Sequence, residues 1–463
     1  MSPPGKNSAR DLTIANKAST GIEARKVALE ILFRVSHKSA YADALLGDRL
    51  PDFELNDRRL ITLMVLGTIA WRGLLDFEIA KLASRPIEKI DDAVLEILRL
   101  GLFQIRHLDR VPMHAVVDTA VTIANSDRRT RNASGLVNAI LRKATRQKAP
   151  VFDAGGDHIA NLALKYSHPR WMAEKFVATF GRADAEAIMA ADNEAAPTAI
   201  RLNPSRGTRE EIRARIDADG IEVAAEGRFP ETLIIRGSPH FDASSFRDGF
   251  FSVQSEASQI VARMLAPARG ATVVDCAAAP GGKATHLAEM IGEHGRVIAL
   301  DLNFAGLRKT RALAERLGHE NLMYARADLA RGVPLRPGSF DYVLLDAPCT
   351  GTGTLRQHPE IRWRLKPSDP SRMAVIQLAM MRNAVALLRP GGAMVYSVCS
   401  LMREEGAAVV AEFLAADLQF QLDPHPPAHD QIGDLIREDG TMLTRPDRSG
   451  LDGFFAARIV RTK

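Results

Sequence analysis

Apolar residues recur with a helical period through the first third of the chain. Leu95, Leu98, Leu102 and Ile105 share one helix face, and similar stripes begin near residues 27, 60 and 117. Prolines fall between these stripes, where helices end. The pattern predicts an all-α domain of about seven helices over residues 22–148. A linker containing Pro and Gly follows at residues 149–156.

The rest of the chain mixes helix and strand patterns. Residues 157–192 have a helical pattern, and a small α+β module follows, with predicted strands at 198–203, 221–225 and 232–236 and a predicted helix at 209–219. From residue 271 strand and helix alternate, with predicted strands at 271–275, 296–300, 321–325, 341–345, 392–397 and 453–460. This alternation is typical of a mostly parallel sheet covered by helices, so we predict a Rossmann-like α/β domain.

Composition and charge indicate what kind of chain this is and what kind of partner it binds. The 463 residues are 46% hydrophobic and 25% charged, which is typical of a globular protein and excludes a mostly disordered chain. The net charge is +5, but residues 1–150 carry +7 and the remainder carries −2. A basic surface confined to the N-terminal part indicates a polyanionic partner.

Cysteine usage and the absence of apolar runs indicate the compartment. Cys276, Cys349 and Cys399 are too few for a disulfide framework, and no His/Cys cluster has zinc-ligand spacing, so we expect free thiols and no metal. No apolar run approaches the ~20 residues that a membrane span needs. The first residues lack the apolar core of a signal peptide. We predict a soluble cytoplasmic protein with a flexible tail at residues 1–20 and no membrane partner.

A loop of small residues after the first strand of the α/β domain predicts a cofactor site. Its glycines let the backbone approach a ligand, and the following helix N-terminus attracts negative charge. Asp301 ends the second strand, where it can bind ribose hydroxyls, and Asp328 follows the third strand, within reach of an adenine amine. The loop matches neither G-x-G-x-x-G nor G-x-x-x-x-G-K-[ST], which favours S-adenosylmethionine over a dinucleotide or ATP. The predicted cofactor contacts are Ala277, Ala278, Ala279, Pro280, Gly281, Gly282, Lys283, Asp301, Asp328 and Asp346.

Two cysteines follow the fourth and fifth strands and predict the chemistry. Cys349 and Cys399 are expected to meet at the rim that holds the cofactor, because parallel neighbouring strands end at the same edge. A thiolate that adds to carbon 6 of a pyrimidine makes carbon 5 nucleophilic, and a second acid/base group then restores the ring. Asp346 can hydrogen-bond the ring nitrogen and amine of cytosine. This reasoning does not decide which cysteine attacks.

Basic residues suggest how the nucleic acid that carries such a base is held. Seven basic side chains against one acid lie within residues 126–150, and a second group follows Cys349. A solvated helix face is the alternative for the first group, and core packing is the alternative for the tryptophan of the second. The predicted RNA contacts are Arg128, Arg129, Arg131, Arg142, Lys143, Arg146, Arg356, Arg362, Trp363 and Arg364.

The motifs resemble a known family over nearly the whole chain. Residues 157–463 resemble the RNA cytosine-5 methyltransferases, and residues 22–148 resemble the NusB-type RNA-binding helical domain. For the methyltransferase the matching motifs are Asp275…Ala-Pro-Gly-Gly-Lys283, Asp346-Ala-Pro-Cys-Thr-Gly-Thr-Gly353, Pro359-Glu-Ile-Arg-Trp-Arg364, Tyr396-Ser-Val-Cys-Ser400 and Asp452-Gly-Phe-Phe455. For the helical domain they are Pro112-Met-His-Ala-Val-Val-Asp118 and Gly135-Leu-Val-Asn-Ala-Ile-Leu-Arg142. The combination is similar to bacterial enzymes that methylate 16S ribosomal RNA.

The resemblance implies roles for both thiols. It makes Cys399 the nucleophile and Cys349 the residue that assists product release, with S-adenosylmethionine as cofactor. Two departures from the family pattern stand out: Cys276 lies one place before the usual loop cysteine, and Val398 replaces the usual Thr before the nucleophile. Another ribosomal or transfer RNA site stays open as the target, as does, at lower rank, a non-catalytic RNA-binding assembly or antitermination factor.

The expected organisation has four parts. They are a tail (1–20), a NusB-like helical RNA-binding domain (21–150), a helical linker with a small α+β RNA-binding module (157–265) and an S-adenosylmethionine-dependent methyltransferase domain (266–463). The expected partner is 16S ribosomal RNA, and the expected state is a monomer.

Overall fold

The computed structural model describes residues 8–149, 151, 153–237 and 241–462, and the chain divides into two compact units. The first unit comprises Met1–Val177, Asp192–Glu194 and Leu355–Arg364. The second comprises Ala178–Ala191, Ala195–Thr354 and Leu365–Lys463. Of the tail predicted for residues 1–20, residues 1–7 lie outside the described residues and residues 8–20 belong to the first helix.

The first unit is helical, as the apolar stripes predicted. Its central helix is buried at every position from Val94 to Ile105, because helices pack around it on all sides. Asp91 caps that helix by accepting hydrogen bonds from the backbone N–H groups of Ala93 and Val94. The seven described helices before residue 148 are α1 (Ser8–His37), α2 (Ala42–Arg49), α3 (Leu55–Ala70), α4 (Arg72–Ala83), α5 (Asp92–His107), α6 (Met113–Ser126) and α7 (Ser134–Arg146), followed by α8 (His158–Lys165) and α9 (Arg170–Phe180).

The second unit begins with a small antiparallel sheet. Its elements are α10 (Arg182–Ala191), β1 (Thr198–Leu202), α11 (Arg209–Ala218), β2 (Val223–Glu226), β3 (Thr232–Ile235), α12 (Ser244–Arg247) and β4 (Phe251–Val253), with strand order β2-β3-β1-β4. The sequence pattern missed β4, since three residues are too few to show alternation. Arg201 on β1 is fully buried.

A larger, mostly parallel sheet forms the rest of this unit, and all six predicted strands are present. Its elements are α13 (Glu256–Leu265), β5 (Thr272–Asp275), α14 (Gly282–Ile291), β6 (Arg296–Asp301), α15 (Phe304–Leu317), β7 (Leu322–Arg326), β8 (Phe340–Asp346), α16 (Ile361–Arg364, in the first unit), α17 (Asp369–Val385), β9 (Leu388–Val398), α18 (Ala407–Ala416), β10 (Phe420–Leu422), α19 (His429–Ile432), β11 (Met442–Leu443), α20 (Pro446–Ser449) and β12 (Phe455–Arg461). The order is β10-β12-β9-β8-β5-β6-β7, and β11 pairs with β12.

The direction of the strands determines which edge of the sheet carries the candidate site residues. The strands from β7 to β9 are parallel, so β5, β6, β8 and β9 end at one edge, whereas β12 runs antiparallel to β9. The short strands β10 and β11 were not predicted. Within this unit, Arg201 connects the small sheet to α14 by donating to Glu289 at 2.9 Å and to the Gly282 carbonyl at 2.8 Å.

Among the described residues, no single helix combines the length and apolar character required to cross a membrane. Within the described part of the chain, only α3 and α4 taken together have that length and composition, and they are bent by 76° at their junction.

Two helical glycines give a test of the packing. A Cβ on Gly67 of α3 would lie 2.1 Å from the Phe103 ring, whereas a Cβ on Gly47 of α2 would meet nothing within 4 Å. We expect Gly67→Ala to lower the free energy of unfolding by about 1–3 kcal/mol through overpacking. Gly47→Ala should raise it by up to about 1 kcal/mol through helix propensity. Urea denaturation followed by circular dichroism measures both, and equal shifts would contradict the packing described.

Candidate active site

The loop between β5 and α14 is shaped by backbone contacts and one glycine. Gly281 has φ of 114°, and a Cβ there would lie 2.8 Å from the Cα of Thr310, so only glycine fits. Asp301 at the end of β6 accepts hydrogen bonds from the backbone N–H of Ala279 at 3.0 Å and of Asn303 at 2.7 Å. The Asp301 carboxylate therefore holds the loop close to the end of β6.

Asp275 supplies a polar atom without a partner at the start of this loop. Its side chain is buried, and Oδ1 accepts a hydrogen bond from the backbone N–H of Ala277 at 3.4 Å. Oδ2 has no hydrogen-bond partner among the described residues. Burial, reinforced by the nearby Asp346 charge, raises the pKa of Asp275 to about 7. A buried polar atom beside a glycine-lined turn fits a ligand with hydrogen-bond donors.

Asp328 follows β7, the strand next to β6. Its Oδ1 accepts a hydrogen bond from the backbone N–H of Ala330 at 3.2 Å, and its Oδ2 lies 3.3 Å from the Arg331 guanidinium. Two of the three acids predicted for the cofactor, Asp301 and Asp328, thus lie at the ends of adjacent parallel strands, and both carboxylates accept hydrogen bonds from nearby backbone N–H groups. The residues present fit an adenosine-bearing ligand laid across the ends of β5, β6 and β7.

The structure brings the two predicted thiols together. The strands β8 and β9 pair in parallel with Asp346 opposite Ser397, so the loops that follow them are neighbours. The Sγ atoms of Cys349 and Cys399 lie 3.3 Å apart, and both residues are half-buried. The hydrogen bond with Cys399, together with burial, raises the pKa of the Cys349 thiol well above its usual range.

Cys276 is different from this pair. It packs in the apolar cluster behind the sheet, and burial raises the pKa of its thiol strongly. A buried thiol of this kind behaves as a small apolar side chain.

Beside the thiols an ion pair places a lysine and an aspartate together. Lys283 Nζ lies 2.6 Å from Asp346 Oδ2, and the Ser397 hydroxyl donates to Asp346 Oδ1 at 2.7 Å. Burial disfavours the ammonium form of Lys283, but the Asp346 carboxylate outweighs that effect and the Lys283 pKa is raised. The Lys283 ammonium also lies 5.3 Å from the centre of the Phe454 ring. Lys283, predicted as a cofactor contact, therefore points to the residues at the ends of β8 and β9.

We call the segments after β8 and β9, which carry Cys349 and Cys399, the thiol loops. The loop that precedes β12 is held against them by contacts between Gly353 and Gly453. The N–H of Gly453 donates to the Gly353 carbonyl at 2.7 Å, and a Cβ on Gly353 would lie 1.8 Å from the Gly453 oxygen. The N–H of Gly353 donates in turn to the Cys399 carbonyl at 3.0 Å. This close contact requires both glycines of the motifs and fixes Phe454 near Lys283.

Two contributors to the site escaped the sequence reasoning. Ser397 and Glu405 were not selected, although Ser397 lies within the Tyr396–Ser400 motif and Glu405 follows it by five residues. A serine or glutamate carries no chemical signature by itself. Only the closure of the loops shows that Ser397 orients Asp346 and that Glu405 lies under both thiol loops.

The prediction that Arg362 contacts RNA is wrong. Its side chain is 0% exposed in the first unit, and its guanidinium donates to the carbonyl oxygens of Ser167 and Asp192 and to the side chain of Asn193. A buried guanidinium surrounded by these acceptors organises the protein rather than a phosphate.

The neighbours of Arg362 are also used within the first unit. Trp363 donates its Nε1–H to the Ile69 carbonyl at 2.7 Å and packs on the α1–α3 core, but it is only partly buried, and its stacking on a base stays a prediction. Arg364 donates to the carbonyl oxygens of Val35 and Ala40. Arg356 is half-buried, and its predicted RNA contact stays a prediction.

The basic residues predicted on the helical domain have a different environment. Arg128, Arg129, Arg131, Arg142, Lys143 and Arg146 are all exposed. Asp127 pairs with Arg129 at 2.7 Å, and Lys143 donates to the Leu82 carbonyl at 3.1 Å, so part of the charge is engaged locally. All six side chains are nevertheless exposed, as phosphate contacts require.

Together, the parallel sheet, the glycine turn and the two ordered acids define an S-adenosylmethionine-dependent methyltransferase. Models of three families match the chain: 16S rRNA methyltransferase RsmB/F over residues 262–460, the NusB family over residues 22–146, and the ferredoxin-like domain of RsmF/B-like methyltransferases over residues 168–241. The chain belongs to the RsmB/F family of ribosomal RNA small subunit methyltransferases.

Individual relatives match over most of their length and of this chain. The chain is 34% identical over 445 residues to the "Probable ribosomal RNA small subunit methyltransferase B" of Bacillus subtilis (strain 168), covering 93% of this chain and 97% of the relative. It is 32% identical to the ribosomal RNA small subunit methyltransferase B of Pseudomonas syringae pv. tomato, covering 94% and 96%. The crystal structure of PH0851 superposes with a TM-score of 0.80 at 27% identity, covering 94% of this chain and 98% of that one.

The raised thiol pKa values predict selective alkylation. Because Cys276 and Cys349 are held protonated, we expect iodoacetamide at neutral pH to modify Cys399 first. The label turns Cys399 into a thioether and ends its hydrogen bond to Cys349, so Cys349 should react second and the buried Cys276 last. Peptide mass spectrometry identifies the labelled residue, and urea-unfolded protein, in which all three cysteines react, is the control. Early labelling of Cys349 or Cys276 would contradict the environment described.

Proposed function

We propose that the enzyme methylates carbon 5 of a cytosine in 16S ribosomal RNA through a covalent adduct with Cys399. The observation that carries the proposal is the 3.3 Å separation of the two thiols at the edge of the sheet that also presents the cofactor loop. A methyltransferase that acts on an exocyclic amine needs no thiol, whereas carbon 5 becomes nucleophilic only after a nucleophile adds to carbon 6.

The residues divide the reaction between them. The Cys399 thiolate adds to carbon 6 and forms an S–C bond, which makes carbon 5 an enamine carbon. Asp346, oriented by Lys283 and Ser397, accepts a hydrogen bond from the cytosine amine. The loop at residues 277–283, Asp301 and Asp328 would hold S-adenosylmethionine, which would supply an electrophilic methyl group to carbon 5, the electron pair of the broken C–S bond staying on a neutral thioether. Once Cys399 is bonded to carbon 6, Cys349 loses its own proton to solvent. The Cys349 thiolate then takes the carbon 5 proton, the C5–C6 double bond re-forms and Cys399 leaves as thiolate.

The order of these steps agrees with the environment of Cys349. The hydrogen bond between the thiols is the largest reason why Cys349 stays protonated. That hydrogen bond ends when Cys399 becomes a thioether, so the pKa of Cys349 falls at the stage when a base is needed. The assignment of attack to Cys399 rather than Cys349 follows the resemblance to the RNA cytosine-5 methyltransferases.

The target base must leave its stack to reach these thiols, which favours single-stranded or loop RNA. The proposal includes a monomeric enzyme in the cytoplasm, where ribosomal RNA is made. Bisulfite sequencing of 16S ribosomal RNA and of transfer RNA from cells with and without the gene tests the target directly. A protected cytosine that becomes reactive on deletion supports it, and a change confined to transfer RNA would move the proposal to that substrate.

Substitution of each thiol tests the mechanism. We expect Cys399→Ala to abolish methyl transfer while S-adenosylmethionine still binds, because the thiolate activates the base and does not hold the cofactor. We expect Cys349→Ala to accumulate an RNA-linked protein that survives denaturing electrophoresis, because addition and transfer proceed but elimination stalls. The double variant should form no adduct. An adduct with Cys399→Ala instead would reverse the two roles.

The exposed basic residues of the helical domain test RNA binding. Replacing Arg128, Arg142 and Arg146 by Ala should weaken RNA binding and reduce the slope of log K against log[salt] by about 1 for each phosphate that is no longer neutralised. Arg59, exposed on α3 of the same unit and outside residues 126–150, gives a control when replaced by Ala. Fluorescence anisotropy over a salt series measures the slope. If Arg59→Ala reduces the slope by the same amount per charge removed, Arg128, Arg142 and Arg146 are not specific RNA contacts.

A further inference from the structure

A carboxylate lies beneath the two thiol loops. Glu405 is fully buried and precedes α18. Its Oε1 accepts a hydrogen bond from the backbone N–H of Thr350 at 2.8 Å, and its Oε2 accepts hydrogen bonds from the Ser400 hydroxyl at 2.6 Å and from the Thr350 hydroxyl. Thr350 follows Cys349 directly and Ser400 follows Cys399 directly. One carboxylate thus holds the neighbour of each thiol.

Further hydrogen bonds extend this connection. Gln377 of α17 donates to Glu405 Oε1 at 3.2 Å and also to the Pro348 carbonyl at 2.9 Å, next to Cys349. The Tyr396 hydroxyl donates to the backbone carbonyl of Glu405 at 2.5 Å. Glu405 is therefore fixed to β9 through its backbone, while its side chain reaches across to the loop that follows β8.

The hydroxyl of Ser400 serves as a second junction. It lies 3.0 Å from the Thr352 hydroxyl and accepts a hydrogen bond from the backbone N–H of Met402 at 3.1 Å. The Thr352 hydroxyl accepts in turn from the backbone N–H of Leu401 at 3.1 Å. The residues after Cys349 and those after Cys399 are consequently joined at several points, with the Glu405 carboxylate at the centre.

Burying the Glu405 carboxylate costs free energy, which its hydrogen bonds must offset. Each donor to it in the described part of the chain is a neutral hydroxyl, amide or peptide group, and no described cation pairs with it. Burial raises the Glu405 pKa, and the hydrogen bonds from Ser400, Thr350 and Gln377 oppose that effect. Removing a carboxylate from water without a cation is expensive, and charge-assisted hydrogen bonds offset the cost. An apolar residue would fill the space but could not bind both loops.

We propose that Glu405 is a positioning residue for methyl transfer, which sets the spacing of the two thiols by binding the residue that follows each of them. The inference rests on the proposed two-thiol reaction. Cys349 must reach the carbon 5 proton of a base already bonded to Cys399. A displacement of about 1 Å at a reacting group can cost about 10²-fold in rate.

Three variants separate positioning from stability. Glu405→Ala removes both carboxylate oxygens that accept hydrogen bonds from Thr350, Ser400 and Gln377. Glu405→Gln keeps an acceptor for the Thr350 N–H and turns its amide toward two hydroxyls that can rotate to accept, so it should restore most of the activity. Asp341→Ala is the matched control. Asp341 accepts a hydrogen bond from the backbone N–H of Thr272 at 2.7 Å, at the opposite end of β8 from the thiols.

The measurements are made on the full-length enzyme and normalised to the fraction that binds S-adenosylmethionine. We expect Glu405→Ala to lower kcat by about 10²-fold with an unchanged Kd for S-adenosylmethionine. With both thiols present, it should also accumulate the covalent RNA adduct, because elimination depends on the placement of Cys349. Asp341→Ala should lower the midpoint of urea unfolding without accumulating adduct.

The outcomes are distinguishable. Wild-type kcat for Glu405→Ala, or a loss without adduct that Asp341→Ala reproduces, would overturn the inference. If Glu405→Ala does not fold, Thr350→Val removes a single donor at nearly constant shape, and adduct accumulation there supports the inference, while wild-type turnover contradicts it. If the wild-type enzyme produces no 5-methylcytosine, the proposed function itself fails. If it produces 5-methylcytosine and Glu405→Ala behaves normally, only the positioning role fails.

Discussion

The parallel pairing of β8 with β9 is the constraint on which the site depends. Parallel neighbours end at the same edge, so the Asp346–Gly353 and Cys399–Ser400 segments begin side by side although some 50 residues separate the two cysteines. The register that sets Asp346 opposite Ser397 also forms the hydrogen bond between them. A slip of one residue would turn Asp346 to the other face of the sheet and break its contact with Lys283.

Buried polar groups turn this arrangement into a defined geometry. In the second unit, Glu405 binds both thiol loops, and Arg201 connects the small sheet to the helix that follows the cofactor loop. In the first unit, Arg362 donates hydrogen bonds to the carbonyl oxygens of two separate segments, at Ser167 and Asp192. Burying each of these groups costs free energy that its hydrogen bonds offset, so the loss of a partner leaves a buried polar group unsatisfied. Each network therefore favours the backbone arrangement that keeps its partners together.

The site separates two tasks along the same sheet edge. The ends of β5, β6 and β7 present the glycine turn, Asp301 and Asp328, which fit the cofactor. The ends of β8 and β9 present the thiols and Asp346, which fit the base. Lys283 lies at the boundary, since it belongs to the cofactor loop by sequence and to the base side by its contact with Asp346. A methyl group can pass between the two halves only if each is held in a fixed position. The proposed role of Glu405 is to hold the thiols, which belong to the half that fits the base.

The sequence by itself determined the local structure and the class of chemistry. Helical and alternating patterns predicted the seven helices and the six long strands, and the strand–loop order predicted that Cys349 and Cys399 would be neighbours. The short strands β4, β10 and β11, the burial of Arg362 and the contacts of Lys283 and Glu405 were decided only by the tertiary structure. The physical reason is that periodicity reports which face of an element is buried. Whether a given arginine or glutamate meets its partners depends on segments far away in the chain, and no local pattern records those encounters.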